Sequence, residues 1–281
     1  MVEPAAVRRN VISTRVIAVR DRDRFERPDR LATEEPMEIR VHGPDQEPIT
    51  VAVTMRTPGN DFELAVGFLA TEGLVWAEHD VRSVAYCDFP AREQQYNVVT
   101  VRLTRPFDPD SIKRNFYATS SCGVCGKASL EQVQLSCAPV GPGPEVPASV
   151  ISTLPETLRK TQPIFEQTGG LHAAGLFDPS GTLVSVREDV GRHNAVDKLV
   201  GQALLEGSLP LSDRVLMVSG RVSFEIVQKA AMAGIPMICA VSAPSSLAVE
   251  SARELGLTVL GFVRASNFNV YTGPERVQIG R

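Results

Sequence analysis

The chain reads as an α/β protein, α+β overall: a smaller, mixed and β-rich N-terminal unit followed by a three-layer C-terminal unit built on a partly parallel sheet. Three observations predict this. Near-continuous apolar runs at 214–218, 237–241 and 257–263 alternate with helical stretches, the pattern of βαβ crossovers around a buried sheet. The first hundred residues instead carry short β-like runs broken by a single helical period. At 281 residues and 43% apolar content the chain can bury a sizeable core, and its length suits two modest units. The expected division is an N-terminal domain over 1–112, a reactive loop and connector over 113–147, and an α/β domain over 148–281.

In the N-terminal unit, strands are expected at 15–19, 37–41, 49–55, 81–87 and 97–103, mainly antiparallel. Between them Asn60 or Asp61 starts a helix, Leu64, Phe68 and Leu69 keep its period, and Gly73 stops it. Charged residues 21–27 look like a solvated loop. Residues 141–147, rich in Pro and Gly, form a connector that excludes helix and inner strand. Further on, a helix over 155–166 ends at Gly169-Gly170. Strands at 171–177 and 182–186 form a hairpin through Asp178-Pro-Ser-Gly181, where Pro presets φ and Gly accepts a positive one. Helices over 194–205, 224–233 and 247–255 then alternate with the three buried strands. The succession α-β-β-α-β-α-β-α-β is also that of the cytidine-deaminase architecture, a likeness of fold that carries no function.

A formal charge of −4 argues against a broadly basic nucleic-acid footprint, so an anionic ligand would need a local site. The N-terminus has no apolar run of the length that a signal peptide or membrane span requires, and five scattered cysteines do not make a secreted disulfide framework. The expectation is a cytoplasmic protein with no membrane and no nucleic-acid partner.

Reactive sulfur chemistry concentrates in Ser120-Ser-Cys122-Gly-Val-Cys125-Gly-Lys127. Two intervening residues let both thiols face one small volume, where they can share a metal, close a disulfide or pass a sulfur atom. A zinc site lacks ligands, since there is no second Cys-x-x-Cys and no His-x-Glu. Dithiol redox chemistry stays open. A sulfur relay fits the glycine-rich loop, with Lys127 favouring the thiolate. Cys87 and Cys239 read as structural, while Cys137 could join the pair.

Ligands of open α/β sheets bind beyond the carboxyl ends of parallel strands. Those ends carry Ser219-Gly220-Arg221-Val222-Ser223, Ser242-Ala-Pro-Ser245-Ser246 and Arg264-Ala265-Ser266-Asn267. Close backbone approach, helix N-termini and the charges of Arg221 and Arg264 suit a phosphate-bearing ligand. Alternatively Ser223, Ser245 and Ser246 only cap helices. A fourth polar cluster, Arg187-Glu-Asp-Val-Gly-Arg-His-Asn194, is either a further wall of this site or a charged turn with Asn194 as N-cap.

Taken in order, Glu34-Glu-Pro-Met-Glu-Ile-Arg40, the segment from Thr57 to Leu69, the cysteine loop, Gly169-Gly-Leu-His-Ala-Ala174, the Arg187 to Asn194 cluster with Asp197-Lys198, Ser219-Gly-Arg-Val-Ser-Phe-Glu225, Ser242-Ala-Pro-Ser245 and Gly261-Phe-Val-Arg264 through Thr272 resemble the FdhD family. These are sulfur-carrier accessory proteins of formate dehydrogenase. The resemblance implies a sulfurtransferase that takes sulfane sulfur from a cysteine desulfurase as a persulfide on Cys122, with Cys125 as its partner. It delivers that sulfur to Mo-bis(molybdopterin guanine dinucleotide) on behalf of the formate dehydrogenase apoenzyme. It also implies a zinc-free, deaminase-like C-terminal fold, a homodimer, and a cofactor-binding stretch at Phe262, Val263, Arg264, Ala265, Ser266 and Asn267. Arg221, Ser223 and His193 join that stretch as candidates, with Arg192 and His172 behind them. The competing class is a non-catalytic cofactor-binding chaperone whose cysteines are redox-protective.

Overall fold

A computed structural model describes residues 9–87, 96–108 and 137–279. Two antiparallel strands, β1 (Val11–Arg20) and β2 (Asp23–Ala32), form a hairpin, and β3 (Glu35–His42) leads into the first sheet. That sheet has the order β4-β3-β6-β5, with β4 at Ile49–Arg56, β5 at Val81–Tyr86 and β6 at Val98–Leu103. Its one parallel pair, β3 with β6, is made possible by helix α1 (Asp61–Thr71), which crosses over between them.

The second sheet has six strands in the order β13-β12-β11-β10-β8-β9. Its members are β8 (His172–Phe177), β9 (Leu183–Asp189), β10 (Val215–Val218), β11 (Met237–Ala240), β12 (Thr258–Arg264) and β13 (Asn267–Thr272). Only β10, β11 and β12 are mutually parallel. Helix α2 (Ala148–Lys160) covers one face with Ile151, Leu154 and Leu158, against Phe177, Met217, Met237 and Leu260. Over the other face lie α4 (Arg192–Leu205), α5 (Phe224–Met232) and α6 (Ser246–Glu254), giving three layers. A short α3 (Pro163–Thr168) follows α2, and two-residue strands β7 (Val146–Pro147) and β14 (Val277–Gln278) pair at the far side. Among the described residues no helix is long and apolar enough to cross a membrane.

Two expectations are corrected. Residues 21–27 are not a loop: only Asp21 and Arg22, both at positive φ, make the turn, and the rest enters β2. Strand β2 is exposed along most of its length, so no apolar alternation announced it. The helix expected over 155–166 is two helices. Pro155 lies inside α2, because the Ile151, Leu154, Leu158 stripe outweighs one missing N–H, whereas Pro163 takes the first-turn position where proline fits. Strand β13, pairing antiparallel with β12, adds an edge strand to the expected elements.

Helix α1 reaches the C-terminal sheet by crossing α4 backbone to backbone. A Cβ on Gly67 would lie 1.8 Å from the Asp197 carbonyl oxygen, and one on Gly201 would lie 1.8 Å from that of Glu63. Leu64 and Leu69 thereby enter one core with Leu199, Val200, Leu216 and Ile238, so the two halves are joined through shared apolar packing. Gly201→Ala should therefore cost about 3 kcal/mol or more, the upper end of overpacking, because the obstruction is backbone that cannot rotate away. Denaturant titration should show a lower midpoint at unchanged slope.

Candidate functional site

Loops at the carboxyl ends of β10 and β11 are stitched together. Val222 N–H donates to the Ala243 carbonyl at 3.3 Å, and Ser245 N–H donates to that of Val222 at 3.0 Å. The loop after β12 is tied in by Phe262 N–H, which donates to the Ser242 carbonyl at 3.2 Å. One edge thus carries all three segments.

The serines divide by partner. Ser245 caps α6, its Oγ accepting from Ala248 N–H at 3.3 Å. Ser223 occupies the N-cap of α5 but makes no capping bond; its hydroxyl instead shares a 3.0 Å hydrogen bond with His193 Nε2. His193 comes from the first turn of α4, beside Arg192. Burial and then the Arg192 charge push His193 down to about 4, so it is neutral near pH 7 and its 3.8 Å approach to Glu225 is no ion pair. His172, at the start of β8, is lowered for the same two reasons. His172 and Arg192 both press on Gly220, where a Cβ would stand 3.4 Å from His172 Nδ1 and 3.7 Å from Arg192 Cδ. Arg192 Nε is buried with no hydrogen-bond partner among the described residues, so that donor is unsatisfied within the protein.

The β12–β13 turn is irregular. Phe262 and Ala265 hold left-handed φ of 54° and 45°, and the register shifts between Gly261 and Arg264. Phe262 is 41% exposed, and Arg264, Ala265, Ser266 and Asn267 are exposed around it, with Arg264 opposite Asn267. Val263 is fully buried beneath α2, so only its backbone is available to a ligand. Arg221 is exposed as well. Neither Arg221 nor Arg264 is engaged in an ion pair among the described residues, leaving both charges available.

Most of the Arg187 to Asn194 cluster is framework. Arg187 binds Glu63 at 2.5 and 2.8 Å, and Glu188 accepts from Ile164 and Phe165 N–H at the start of α3. Asp189, fully buried, pairs with Lys198 at 2.7 Å and accepts from Thr57, Gly191 and Asn194. Asn194 is not the N-cap. That position is Gly191, and the Asn194 amide bonds Asp189 and the Met55 carbonyl because it already lies inside the helix. Only Arg192 and His193 of this cluster look onto the sheet edge.

Cys122 and Cys125 lie outside the described residues. Cys137 and Cys239 are free and buried, and burial pushes their thiols up to about 11 and about 12, with the Glu72 carboxylate adding to the rise at Cys137. Neither is a nucleophile at neutral pH. Among the described residues no cluster of three or more His, Cys, Asp or Glu is placed to hold a metal ion. Sequence reading passed over a cavity of about 450 Å³ that reaches the same edge between α2, α3 and His172. Its only local signal was Gly169-Gly170, taken as a helix stop.

The two depressed histidines have a measurable consequence. Between pH 6.5 and 4 the unfolded chain takes up protons that folded His193 refuses, so stability is full above 6.5 and falls as the pH drops toward 4. Thermal melts across that range should show the decline, and His193→Gln should make it shallower.

A model of the FdhD/NarQ family matches residues 32–278 of this chain. Sulfur carrier protein FdhD of Streptomyces coelicolor is 52% identical over 272 residues, which cover 94% of this chain and 95% of that protein. The protein of the same name from Sulfurisphaera tokodaii is 47% identical over 265 residues, covering 94% and 97%. A crystal structure from Desulfotalea psychrophila, whose description names a formate dehydrogenase accessory protein, superposes with a TM-score of 0.74 at 26% identity, covering 96% of this chain and all of that one.

Proposed function

Starting from the FdhD/NarQ family, to which this chain belongs, we propose that it is a sulfur carrier that moves sulfane sulfur from a cysteine desulfurase to the molybdenum cofactor of a formate dehydrogenase. Cys122 thiolate attacks the terminal sulfur of the desulfurase persulfide, forming a Cys122 persulfide and releasing the donor thiolate. Attack by the Cys125 thiolate on Cys122 Sγ then expels sulfide beside the acceptor and leaves a Cys122–Cys125 disulfide. A cellular thiol reduces that disulfide and resets the pair. The acceptor, Mo-bis(molybdopterin guanine dinucleotide), is the substrate of the step, with the apoenzyme as its destination and a homodimer as the working form.

The observation that carries this reading is the sheet edge. Arg221, Arg264 and the unpaired Nε of Arg192 supply positive charge without internal carboxylate partners among the described residues, and neutral His193 and Ser223 supply hydrogen bonds. Such an edge suits the pyrophosphates of a dinucleotide. The irregular turn with exposed Phe262 offers an aromatic face beside them.

Incubation with a desulfurase and cysteine should yield a mass shift of one sulfur on the wild-type chain and none on Cys122→Ala; an undiminished adduct in that variant would remove Cys122 from the mechanism. A Cys122→Ser, Cys125→Ser double variant should fail to restore formate dehydrogenase activity, whereas restoration would favour a cofactor-holding chaperone. GDP binding should weaken by about tenfold or more in Arg264→Ala, the loss expected for one charge-assisted contact.

A further inference from the structure

The β1–β2 hairpin is a sheet of its own and meets the rest of the chain near its base. There Arg30 donates to Gln167 Oε1 of α3 at 2.8 Å, and a Cβ on Gly170 would lie 3.7 Å from Ala32 Cβ. Two strands alone make a ribbon of marginal stability in water, and further strands or packing are needed to hold it.

The two edges of this ribbon differ. Asp21 and Arg22 form a two-residue turn with φ of 47° and 81°, so Arg20 and Asp23 close the ladder, and every second pair from there exchanges both hydrogen bonds. The pairs between, such as Arg15 with Pro28, Ile17 with Glu26 and Val19 with Arg24, turn their backbone N–H and C=O groups outward. Pro28 sits at such a position, where the hairpin asks for no N–H. The outward edge of β2 is therefore guarded: Pro28 has nothing to donate, and Arg24, Glu26 and Arg30 surround it with charge. On β1 the outward backbone groups of Ser13, Arg15, Ile17 and Val19 have no backbone partner among the described residues, and no proline interrupts them. Ile17 and Val19 are 65% and 70% exposed. A β-branched edge without a guard is a template for another strand.

We propose that the outward edge of β1 pairs antiparallel with β1 of a second copy of this chain, so that two hairpins form one four-stranded sheet in the order β2-β1-β1-β2. Two observations favour a second copy. Joined in this way, each hairpin supplies the strands that the other lacks. Antiparallel pairing also lays the turn of one hairpin, in which Asp21 and Asp23 alternate with Arg20 and Arg22, beside Arg9 at the base of the other, giving the turn carboxylates a further cation at both ends of the interface. The pairing gives the homodimer of the proposed function its surface, and it rests on that dimer rather than on the sulfur steps.

Sedimentation equilibrium of the full chain at increasing concentration should show a monomer–dimer association. Ile17→Pro removes an outward N–H while sparing the hydrogen bonds of the hairpin, and Val19→Lys places a charge on the edge with the backbone intact. Each should raise the dimer dissociation constant at least about tenfold, since two-fold symmetry counts each loss twice. Arg24→Pro, the same backbone change on the guarded edge, should leave that constant unchanged. Far-UV circular dichroism of the Val19→Lys monomer should match that of the wild type, which separates a lost interface from a lost fold. A wild-type chain that stays monomeric overturns the proposal and the homodimer with it. A dimer indifferent to both β1 variants, or one that Arg24→Pro splits as readily, overturns the β1 surface and leaves the homodimer standing. Persulfide loading of Cys122 is read separately by mass, so failure of the interface is distinguished from failure of the sulfur-carrier reading.

Discussion

Helices α1 and α4 touch through bare backbone because neither Gly67 nor Gly201 carries a Cβ, and at that separation each helix locks the rotation and register of the other. The contact draws charged groups from distant parts of the chain into the core. Lys229 pairs with Glu72 at 3.6 Å as well as with Asp197 at 2.8 Å, and Asp189, paired with Lys198 at 2.7 Å, also accepts from Thr57 N–H at 3.2 Å. Buried pairs of this kind add little net stability, but removing one partner costs about 3–5 kcal/mol. They therefore penalise any arrangement of the two halves other than this one. Fixing α4 also aims its first turn, so that His193 meets Ser223 and Arg192 lies along Gly220.

The electrostatics of the sheet edge follow from that placement. Burial, together with the nearby Arg192 guanidinium, keeps both neighbouring histidines neutral. An edge with fixed arginine charge and neutral imidazoles attracts an anion while retaining groups that can accept as well as donate. The carboxylates of the same sequence cluster are consumed elsewhere, Asp189 by Lys198 and Glu188 by the start of α3. These two carboxylates are thus kept away from the edge by the fold, although Glu225 stays beside it, 3.8 Å from His193.

Periodicity made most elements legible. Buried strands β10, β11 and β12 and the helices between them follow from apolar runs and glycine stops, since burial on both faces leaves a continuous apolar signature. Strand β2 was illegible because an exposed hairpin has no apolar face to alternate. At Pro155 a local rule lost to tertiary packing of the Ile151, Leu154, Leu158 stripe. In the site, the loops and their arginines were readable from strand ends. Which serine caps and which faces His193 was not, because both stand before a helix and only the neighbour across the sheet decides.

The sequence by itself determined the kinship, and it carries the cysteine pair on which the proposed sulfur chemistry rests. Two thiols with two residues between them in a glycine-rich stretch are a local pattern, and an ordered series of motifs is readable without coordinates. Tertiary structure alone decided which polar residues are framework and which are free. Asp189 and Arg192 stand three positions apart in one motif, yet one is buried against Lys198 and the other retains an unpaired donor at the sheet edge. Whether a polar group is satisfied depends on neighbours remote in sequence, and only the folded chain brings those neighbours together.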